Sequence, residues 1–334
     1  MAELRFDLRL TRGSFTLEMA AEIPAEGVTA VVGPSGSGKT TLLSALAGLE
    51  RGVEGRARLA DNVWMEGPLN LPPRDRRIGF VFQDRRLFDH MSVADNIAYG
   101  AKRRGVPAGT IHALTEALGL GGLLDRRPHT LSGGEARRVS VARAMASAPD
   151  ILFMDEPLAG LDDDAKAQVL PYISRLVAES GVPVLYVTHS MAEVSQLADR
   201  ILQVSDGRIR GWAAPPATLA VTVIEEQIGG HLLLELGSVR FTLIGHGRPG
   251  DARRIAVPEQ GIVLSRQHPG ESAALSVLQA RTIAVSPRPG GASITVRAEA
   301  QDLSIDVAAG SALADRPPRE GETLWLSLLR AHLR

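Results

Sequence analysis

One stretch, Gly33-Pro34-Ser35-Gly36-Ser37-Gly38-Lys39-Thr40-Thr41, restricts the fold of this chain more than any other part of the sequence. It has the spacing G-x-x-x-x-G-K-T of a phosphate-binding loop. Its glycines allow a tight turn in which successive backbone N–H groups point inward and form a nest for an anion. The apolar run 28–32 before it is typical of a buried strand, and leucines at helical spacing follow it as far as Leu49. The N-terminus of that helix would then face the bound phosphate.

Lysine is rare in this chain, which makes the position of one lysine informative. Of the 37 basic residues, only Lys39, Lys102 and Lys166 are lysines. Lys39 stands in the glycine loop, where a compact ammonium suits the β- and γ-phosphates of a nucleotide better than a planar guanidinium does. Glycine-rich turns before helices are common, but this context predicts a nucleotide site.

Length and composition restrict the class of protein. A chain of 334 residues is longer than one ordinary domain and predicts two. The net charge of −1 gives no overall basic field, so we expect no nucleic-acid partner. The absence of cysteine excludes disulfides and thiolate metal sites. No signal peptide and no apolar run of about 20 residues is present, so a membrane role would require a partner.

Strands and helices alternate along the first 210 residues. Apolar runs at 78–82, 151–155 and 184–188 predict buried strands, and helices are predicted at 92–118, 132–147, 163–179 and 191–198, with a closing hairpin at 201–210. This alternation indicates an α/β sheet whose site lies at the carboxyl ends of its strands. Lys39, Gln83, Asp155 and His189 all lie at or just beyond such ends.

A second domain of different type begins near residue 214. The breaker-rich stretch Ala213-Ala214-Pro215-Pro216 interrupts the pattern, and beyond it nearly all predicted elements are strands. Strand-length runs occur at 232–236, 239–244, 262–264, 280–285, 293–298 and 324–328, with turns such as Pro289-Gly290-Gly291 between them. The pattern predicts an all-β domain, most simply a small barrel.

Two further stretches carry residues suited to phosphate chemistry. Asp155 and Glu156 end an apolar strand, where an Asp can support Mg²⁺ and a Glu can polarise an attacking water; alternatively the pair only caps a turn. In Leu131-Ser132-Gly133-Gly134-Glu135, the serine and glutamate form a capping box. The same serine and glycines could also present backbone N–H groups to a phosphate.

The order of these motifs along the chain resembles that of the ATP-binding-cassette ATPases. The sequence has, in order, the glycine loop, Gln83, the Leu-Ser-Gly-Gly-Glu stretch, Asp155-Glu156, Leu161-Asp162 and His189. The resemblance covers residues 1 to about 210. It implies that two copies dimerise head to tail and enclose two ATP molecules, each between one subunit's glycine loop and the other's Ser-Gly-Gly stretch.

The resemblance also implies a role for each residue of the subunit's own ATP site. Residues 33–41 would hold the phosphates, with Lys39 on the β- and γ-phosphates. Thr40 and Gln83 would ligate Mg²⁺, and Asp155 would support the metal.

The remaining motif residues would act on water, on the γ-phosphate or on the partner's nucleotide. Glu156 would be the general base, and His189 would sense the γ-phosphate. Ser132, Gly133 and Gly134 would contact the partner's ATP, and Asp162 would couple the two sites. An aromatic ring usually stacks on adenine in this family, and Phe15 is either that ring or a core residue.

Within the family, the sequence is similar to ATPase subunits of binding-protein-dependent importers, most of all those for molybdate. The similarity lies in 76–88, 170–176 and 185–190, and in Ala274-Leu275-Ser276-Val277-Leu278-Gln279-Ala280-Arg281 at the start of a C-terminal oxyanion-binding type of domain. It implies a P-loop NTPase cassette with a mixed sheet and a helical subdomain at about 84–147, within residues 1–213. Residues 214–334, with a core at about 270–334, would form a β domain of the Mop or TOBE type, similar to an OB barrel.

The importer resemblance implies partners and a location. The partners would be a second copy of the chain, an integral membrane permease and, indirectly, a periplasmic substrate-binding protein, with the ATPase on the cytoplasmic face of the inner membrane. The segment after Gln83, with Leu87 and Phe88, would contact the permease. Ala273 and Ser276 stand where polar oxyanion ligands are expected, so the β domain either binds molybdate or stabilises the dimer. Another importer cargo (sulfate, iron, polyamine or sugar) and a soluble ATPase of the same fold remain alternatives.

Overall fold

The chain forms two compact units, Met1–Pro215 and Pro216–Arg334. The computed structural model describes residues 2–213, 217–227, 231–244, 247–257, 262–270, 274–288, 291–299, 301–308, 311–329 and 332–333. Residues 214–216 of the expected linker, Ala273, and Pro289-Gly290 of an expected turn lie outside these ranges.

The first unit alternates strands and helices, as the sequence predicts. Its first eight elements are β1 (Glu3–Arg12), β2 (Phe15–Pro24), β3 (Val28–Val32), α1 (Lys39–Leu46), β4 (Glu54–Leu59), β5 (Asn62–Glu66), β6 (Leu69–Asn70) and β7 (Ile78–Val81). The remainder are α2 (Val93–Arg104), α3 (Ala108–Ala117), α4 (Gly133–Ala146), β8 (Ile151–Asp155), α5 (Asp163–Ser180), β9 (Val184–Val187), α6 (Met191–Leu197), β10 (Arg200–Ser205) and β11 (Arg208–Ala213). Short 3-10 turns lie at Pro73–Asp75, Gly121–Leu123 and Pro128–Thr130.

Two sheets build this unit. A six-stranded sheet in the order β11-β10-β3-β9-β8-β7 is parallel except for its edge strand β11. An antiparallel sheet in the order β2-β1-β4-β5-β6 lies beside it. Here β1 and β2 form a hairpin of two ten-residue strands, and side chains alternate between buried and exposed along both.

The core of this unit fixes α1, which begins at the glycine loop. Leu42, Leu43 and Leu46 of α1 are fully buried in one cluster with the inward side chains of β1, β3, β8 and β9. Apolar side chains of α2, α4 and α5 form a separate cluster on the parallel sheet. The helices between residues 84 and 147 are α2, α3 and α4, where a helical subdomain is expected. Residues 105–107 separate α2 from α3 within the predicted helical range 92–118.

In its described residues the second unit is all-β except for one short helix, which confirms the predicted class. Its elements are β12 (Ala217–Gln227), β13 (His231–Leu236), β14 (Val239–Ile244), β15 (Ala252–Val257), β16 (Ile262–Ser265), β17 (Ser276–Arg288), β18 (Gly291–Ala298), β19 (Gln301–Ala308), α7 (Ala312–Asp315), β20 (Thr323–Leu328) and β21 (His332–Leu333). They form two five-stranded antiparallel sheets, in the orders β14-β13-β12-β15-β21 and β16-β20-β17-β18-β19, around one apolar cluster. In the described part of the chain, no helix has the length and apolar character needed to cross a bilayer.

Candidate functional site

The glycine loop joins β3 to α1 and needs glycine at two positions. A Cβ on Gly33 would lie 1.9 Å from the carbonyl oxygen of Val204, so no larger residue fits that backbone. Gly38, the N-cap residue of α1, has a φ of 96°, a left-handed conformation that glycine adopts without strain. The loop also receives a hydrogen bond of 3.1 Å from the Gly207 N–H to the Ser37 carbonyl.

Lys39 lies inside this loop. Its side chain is buried, and Nζ donates to the carbonyl oxygens of Gly33 and Pro34 at 2.8 Å each. Burial lowers the pKa of the Lys39 ammonium, whereas the carboxylates of Glu156 and Asp155 act in the opposite direction. The loop therefore holds a cation beside two acids.

The parallel strands bring the other predicted residues to the same edge of the sheet. Strands β3, β9, β8 and β7 are neighbours and run in one direction, so their carboxyl ends meet. The residues at those ends are Gly33 after β3, Gln83 after β7, Asp155 and Glu156 at β8, and His189 after β9. Gln83 has an exposed side chain, and its backbone carbonyl accepts a hydrogen bond from Arg137.

Thr40 and Asp155 form a direct pair at this edge. The Thr40 hydroxyl donates to Asp155 Oδ1 at 2.9 Å, and Asp155 is only 3% exposed. Burial, with a smaller contribution from Glu156, raises the pKa of the Asp155 carboxyl, and the Thr40 hydrogen bond and Lys39 partly offset the rise.

The oxygen atoms of this pair fit a magnesium ion. Hydroxyl and carboxylate oxygens are ligands that Mg²⁺ prefers, and it usually takes one or two carboxylates together with phosphate oxygens and water. Among the described residues no three His, Asp or Glu side chains converge as a self-sufficient metal site. A cation held by Thr40 and Asp155 would therefore draw its remaining ligands from a nucleotide, from water and from neighbouring amide oxygens.

The raised pKa of Asp155 predicts that Asp155→Asn stabilises the metal-free protein. An ionised carboxylate is disfavoured at this buried position, so removing the charge should raise the free energy of unfolding by about 1 kcal/mol, a usual gain at a functional position. The gain should be present above the folded-state pKa, shrink as the pH falls towards the unfolded-state pKa of about 3.9, and disappear below about pH 3, where Asp is protonated in both states. Thermal unfolding in EDTA at pH 8 and at about pH 3 measures both effects. An equal change in Tm at the two pH values would contradict the prediction.

Glu156 and His189 form the second pair. Nδ1 of His189 lies 3.3 Å from Glu156 Oε1, and the His189 side chain is 65% exposed. Glu156 has a φ of 42°, in the left-handed region that costs a non-glycine residue free energy, while its N–H donates to the Val187 carbonyl at 2.9 Å. This strained residue directly follows β8, at the place where a base is expected.

Ser132, Gly133, Gly134 and Asp162 lie at the starts of two other helices. Ser132 caps α4: its Oγ accepts from the Glu135 N–H at 3.3 Å, and its own N–H donates to Glu135 Oε2 at 2.7 Å, which confirms the predicted capping box. Asp162 caps α5 through a 2.8 Å hydrogen bond from the Ala165 N–H. Within the described ranges, neither Ser132 nor Asp162 makes a hydrogen bond to the glycine loop of the same chain.

Phe15 lies beside the glycine loop. Its ring is half-buried on the cluster that contains α1, and a Cβ placed on Gly38 would be 3.0 Å from Phe15 Cζ. The ring therefore both packs on the core and borders the loop, so the two alternatives for Phe15 remain compatible with its position.

Three residues that are not among the predicted site residues also support the site. Glu193 is 4% exposed and accepts hydrogen bonds from Tyr186 Oη (2.9 Å) and Thr188 Oγ1 (2.8 Å), which anchors the turn carrying His189. Burial, together with this carboxylate, raises the pKa of the Tyr186 phenol well above its ordinary value. Gly207 contacts the loop through Ser37, and buried Arg76 caps the end of α1. The Asp206-Gly207 turn indicates a hairpin in the sequence, but no sequence pattern predicts that a particular Arg or Glu is buried.

Comparison with known proteins agrees with this architecture. The family model described as ABC transporter matches residues 17–159. The chain is 38% identical over 307 residues to the molybdenum import ATP-binding protein ModC of Rhodopseudomonas palustris, covering 85% of this chain and 81% of that protein. It is 36% identical over 340 residues to the protein of the same name in Methylococcus capsulatus, covering 94% of each.

A solved structure matches the fold of the first unit. The structure of cbiO1 from Clostridium perfringens, described as part of the ABC transporter complex cbiONQ, superposes with a TM-score of 0.56 and 26% identity over 64% of this chain and 88% of that one. Together with the relatives that match most of its length, these findings show that the chain belongs to the ABC transporter family of ATPase subunits.

Proposed function

We propose that this chain binds Mg²⁺ and ATP and hydrolyses the nucleotide to drive molybdate uptake through a separate membrane permease. One observation supports the reaction above all: a cation, two acids, a hydroxyl and an imidazole meet at one sheet edge, supplied by Lys39, Asp155, Glu156, Thr40 and His189. The cargo rests on the relatives, which are named molybdenum import ATP-binding proteins.

Each side chain has a role that its position supports. The start of α1 and the Lys39 ammonium would neutralise the β- and γ-phosphates. Thr40 and Asp155, with the Gln83 side chain, would hold Mg²⁺, which when bound supplies charge neutralisation at the phosphate oxygens. Glu156 would accept the proton of the attacking water, and His189, in contact with that carboxylate, would orient it and sense the γ-phosphate.

The proposal includes a head-to-tail pair of chains. Ser132, Gly133, Gly134 and Asp162 begin helices without bonding to their own chain's loop in the described residues, so they are available to a second copy. The N-terminus of α4 would then supply backbone N–H groups and a positive dipole end to the partner's γ-phosphate. Asp162 would couple the two sites.

The proposed setting is the cytoplasmic face of the inner membrane. There the pair would act on a permease that receives molybdate from a periplasmic binding protein. The β unit would bind oxyanion or stabilise the pair of chains. In the described strands of this unit, buried hydroxyls lie on Ser276, Thr282, Ser293 and Ser327, and these are polar groups that its sheets offer to an oxyanion.

The test is ATP hydrolysis by the full chain assembled with the molybdate permease of its own organism in proteoliposomes. We expect hydrolysis to require Mg²⁺ and to rise when binding protein loaded with molybdate or tungstate is enclosed, and to stay at its basal rate with sulfate. Stimulation by sulfate alone would show that the cargo is sulfate and not molybdate. The absence of hydrolysis under any condition would overturn the ATPase role. Calorimetric titration of the full chain with the same three oxyanions decides the role of the β unit.

A further inference from the structure

One face of α4 is hydrogen-bonded to the backbone that follows β7. Side chains at three positions, each separated by three residues and hence on one face, donate to carbonyl oxygens of residues 82–86. Arg137 NH1 and NH2 bind the carbonyls of Phe82 and Gln83 at 2.7 Å each, Ser140 Oγ binds that of Arg85 at 3.1 Å, and Arg143 NH1 binds that of Arg86 at 2.6 Å. The segment is thus attached to the helix along its length.

Arg137 is the least expected member of this set. It is 4% exposed, and among the described residues it has no ion pair; its hydrogen bonds go to the two successive carbonyls. Burial, with a smaller contribution from Arg85, lowers the pKa of its guanidinium, and Tyr186 and Asp84 partly offset the fall. Burying a charge that makes no close ion pair is costly, and a long apolar side chain would fill the same space more cheaply. The two-pronged geometry of the guanidinium, which fixes two consecutive peptide groups, explains why an arginine stands here.

The contact joins two parts of the proposed machinery. Gln83 supplies one of the two carbonyls, and α4 begins at Gly133 with Ser132 as its cap. Arg137 lies about 6 Å along the helix axis from that start, at a rise of about 1.5 Å per residue. A rigid helix therefore connects the Gln83 backbone to the surface that would face the partner's ATP.

We propose that Arg137 is a positioning residue: it fixes the Gln83 backbone so that the Gln83 side chain can reach the metal, and ties that position to α4. This inference rests on the proposed role of Gln83 as a Mg²⁺ ligand. Removing a residue that orients a metal ligand typically lowers the metal affinity 10–100-fold.

The neighbouring arginine provides a matched control. Arg138 also leaves α4 and donates to carbonyls, but to those of Leu118 (2.9 Å) and Gly119 (3.3 Å) at the end of α3, and its guanidinium lies over the Tyr172 ring. Arg138→Met removes the same chemical group from the same helix without touching residues 82–86.

The experiment titrates Mn²⁺, which is visible by electron paramagnetic resonance, into the full chain saturated with a non-hydrolysable ATP analogue. We expect Arg137→Met to weaken Mn²⁺ binding at least tenfold and to accelerate amide hydrogen exchange in residues 82–88. Arg138→Met should leave Mn²⁺ affinity within about twofold and accelerate exchange at residues 117–121 instead. If Arg137→Met does not fold, Arg137→Lys, which keeps the charge but cannot bind two carbonyls as a fork, should shift both readouts in the same direction.

The outcomes separate this inference from the proposed function. Nucleotide-dependent Mn²⁺ binding by the wild-type chain that is equally tight in the Arg137 variants would overturn only the positioning role. Equal weakening in the Arg137 and Arg138 variants would also overturn it, because a general loosening of α4 would then explain both. Absence of Mn²⁺ binding in the wild-type chain would overturn the inference together with the metal site on which it rests.

Discussion

Replacing Glu156 by glutamine is expected to lower the turnover of ATP by about 10²–10⁴-fold, the usual contribution of a positioned general base. Glutamine keeps the size of the side chain but cannot take a proton from water. The carboxylate lies at the carboxyl end of β8, in contact with Nδ1 of His189 and near the Lys39 ammonium. Because Lys39 and the loop are unchanged, ATP affinity should stay within a few-fold. Phosphate release at saturating Mg²⁺-ATP measures the first effect, and binding of a fluorescent ATP analogue measures the second.

A carboxylate at the opposite end of the same strand serves as the control. Asp150 immediately precedes β8 and pairs with Arg77 at 3.2 Å, far from the edge that carries the site. Asp150→Asn should leave turnover unchanged. Blocking hydrolysis should also prolong the ATP-bound pair of chains, so that Glu156→Gln elutes as a dimer in ATP. Unchanged turnover in Glu156→Gln would remove Glu156 from the role of base, whatever the oligomeric state.

The parts of the site that follow local rules could be read from the sequence. Gly38 is a glycine because its left-handed φ demands one, and such a demand acts within a few residues. Gly33 was identified from the loop motif alone, because the reason for it, the close approach of the Val204 carbonyl, is a distant contact. The Ser132–Glu135 capping box is equally local, and the structure contains it. The apolar strands before Gln83 and His189 were long enough to predict, and parallel pairing then places both residues at one edge.

Other supports of the site could not be read, because they depend on distant contacts. Arg76, Arg137 and Glu193 are charged residues buried at 2–4% exposure, whereas a sequence pattern assigns charged side chains to the surface. Their partners are backbone carbonyls, hydroxyls and, for Arg76, the amide oxygen of Asn70, and these groups meet only in the folded chain. In the β unit, strand existence was predictable, but pairings such as β12 with β15 and β17 with β20 join segments far apart in sequence. Alternation of apolar and polar residues with a period of two identifies a strand, but it does not indicate with which other strand that strand pairs.

The largest effect on stability is expected from Arg76→Met. The Arg76 side chain is 2% exposed and donates to the Leu46 carbonyl (2.6 Å) at the end of α1, to the Leu71 carbonyl (2.9 Å) and to Asn70 Oδ1 (2.6 Å). The guanidinium satisfies acceptors that a helix end leaves open, and it places positive charge at the negative end of the helix. Methionine fills much of the volume but leaves buried acceptors unpaired, each at about 1–3 kcal/mol. We expect a total loss of about 3 kcal/mol in the free energy of unfolding.

The adjacent arginine shows whether burial is the cause of that loss. Arg77 has a half-exposed side chain that pairs with Asp150, so Arg77→Met should cost less than about 1 kcal/mol. Urea unfolding of both variants, followed by the fluorescence of buried Trp64 in the first unit, compares them directly. Because α1 begins at Lys39 and ends at the carbonyls that Arg76 binds, loosening its end should also weaken ATP binding in Arg76→Met and not in Arg77→Met. Equal urea midpoints for the two variants would mean that the carbonyls at the end of α1 find other donors, and that the buried guanidinium contributes no net stability.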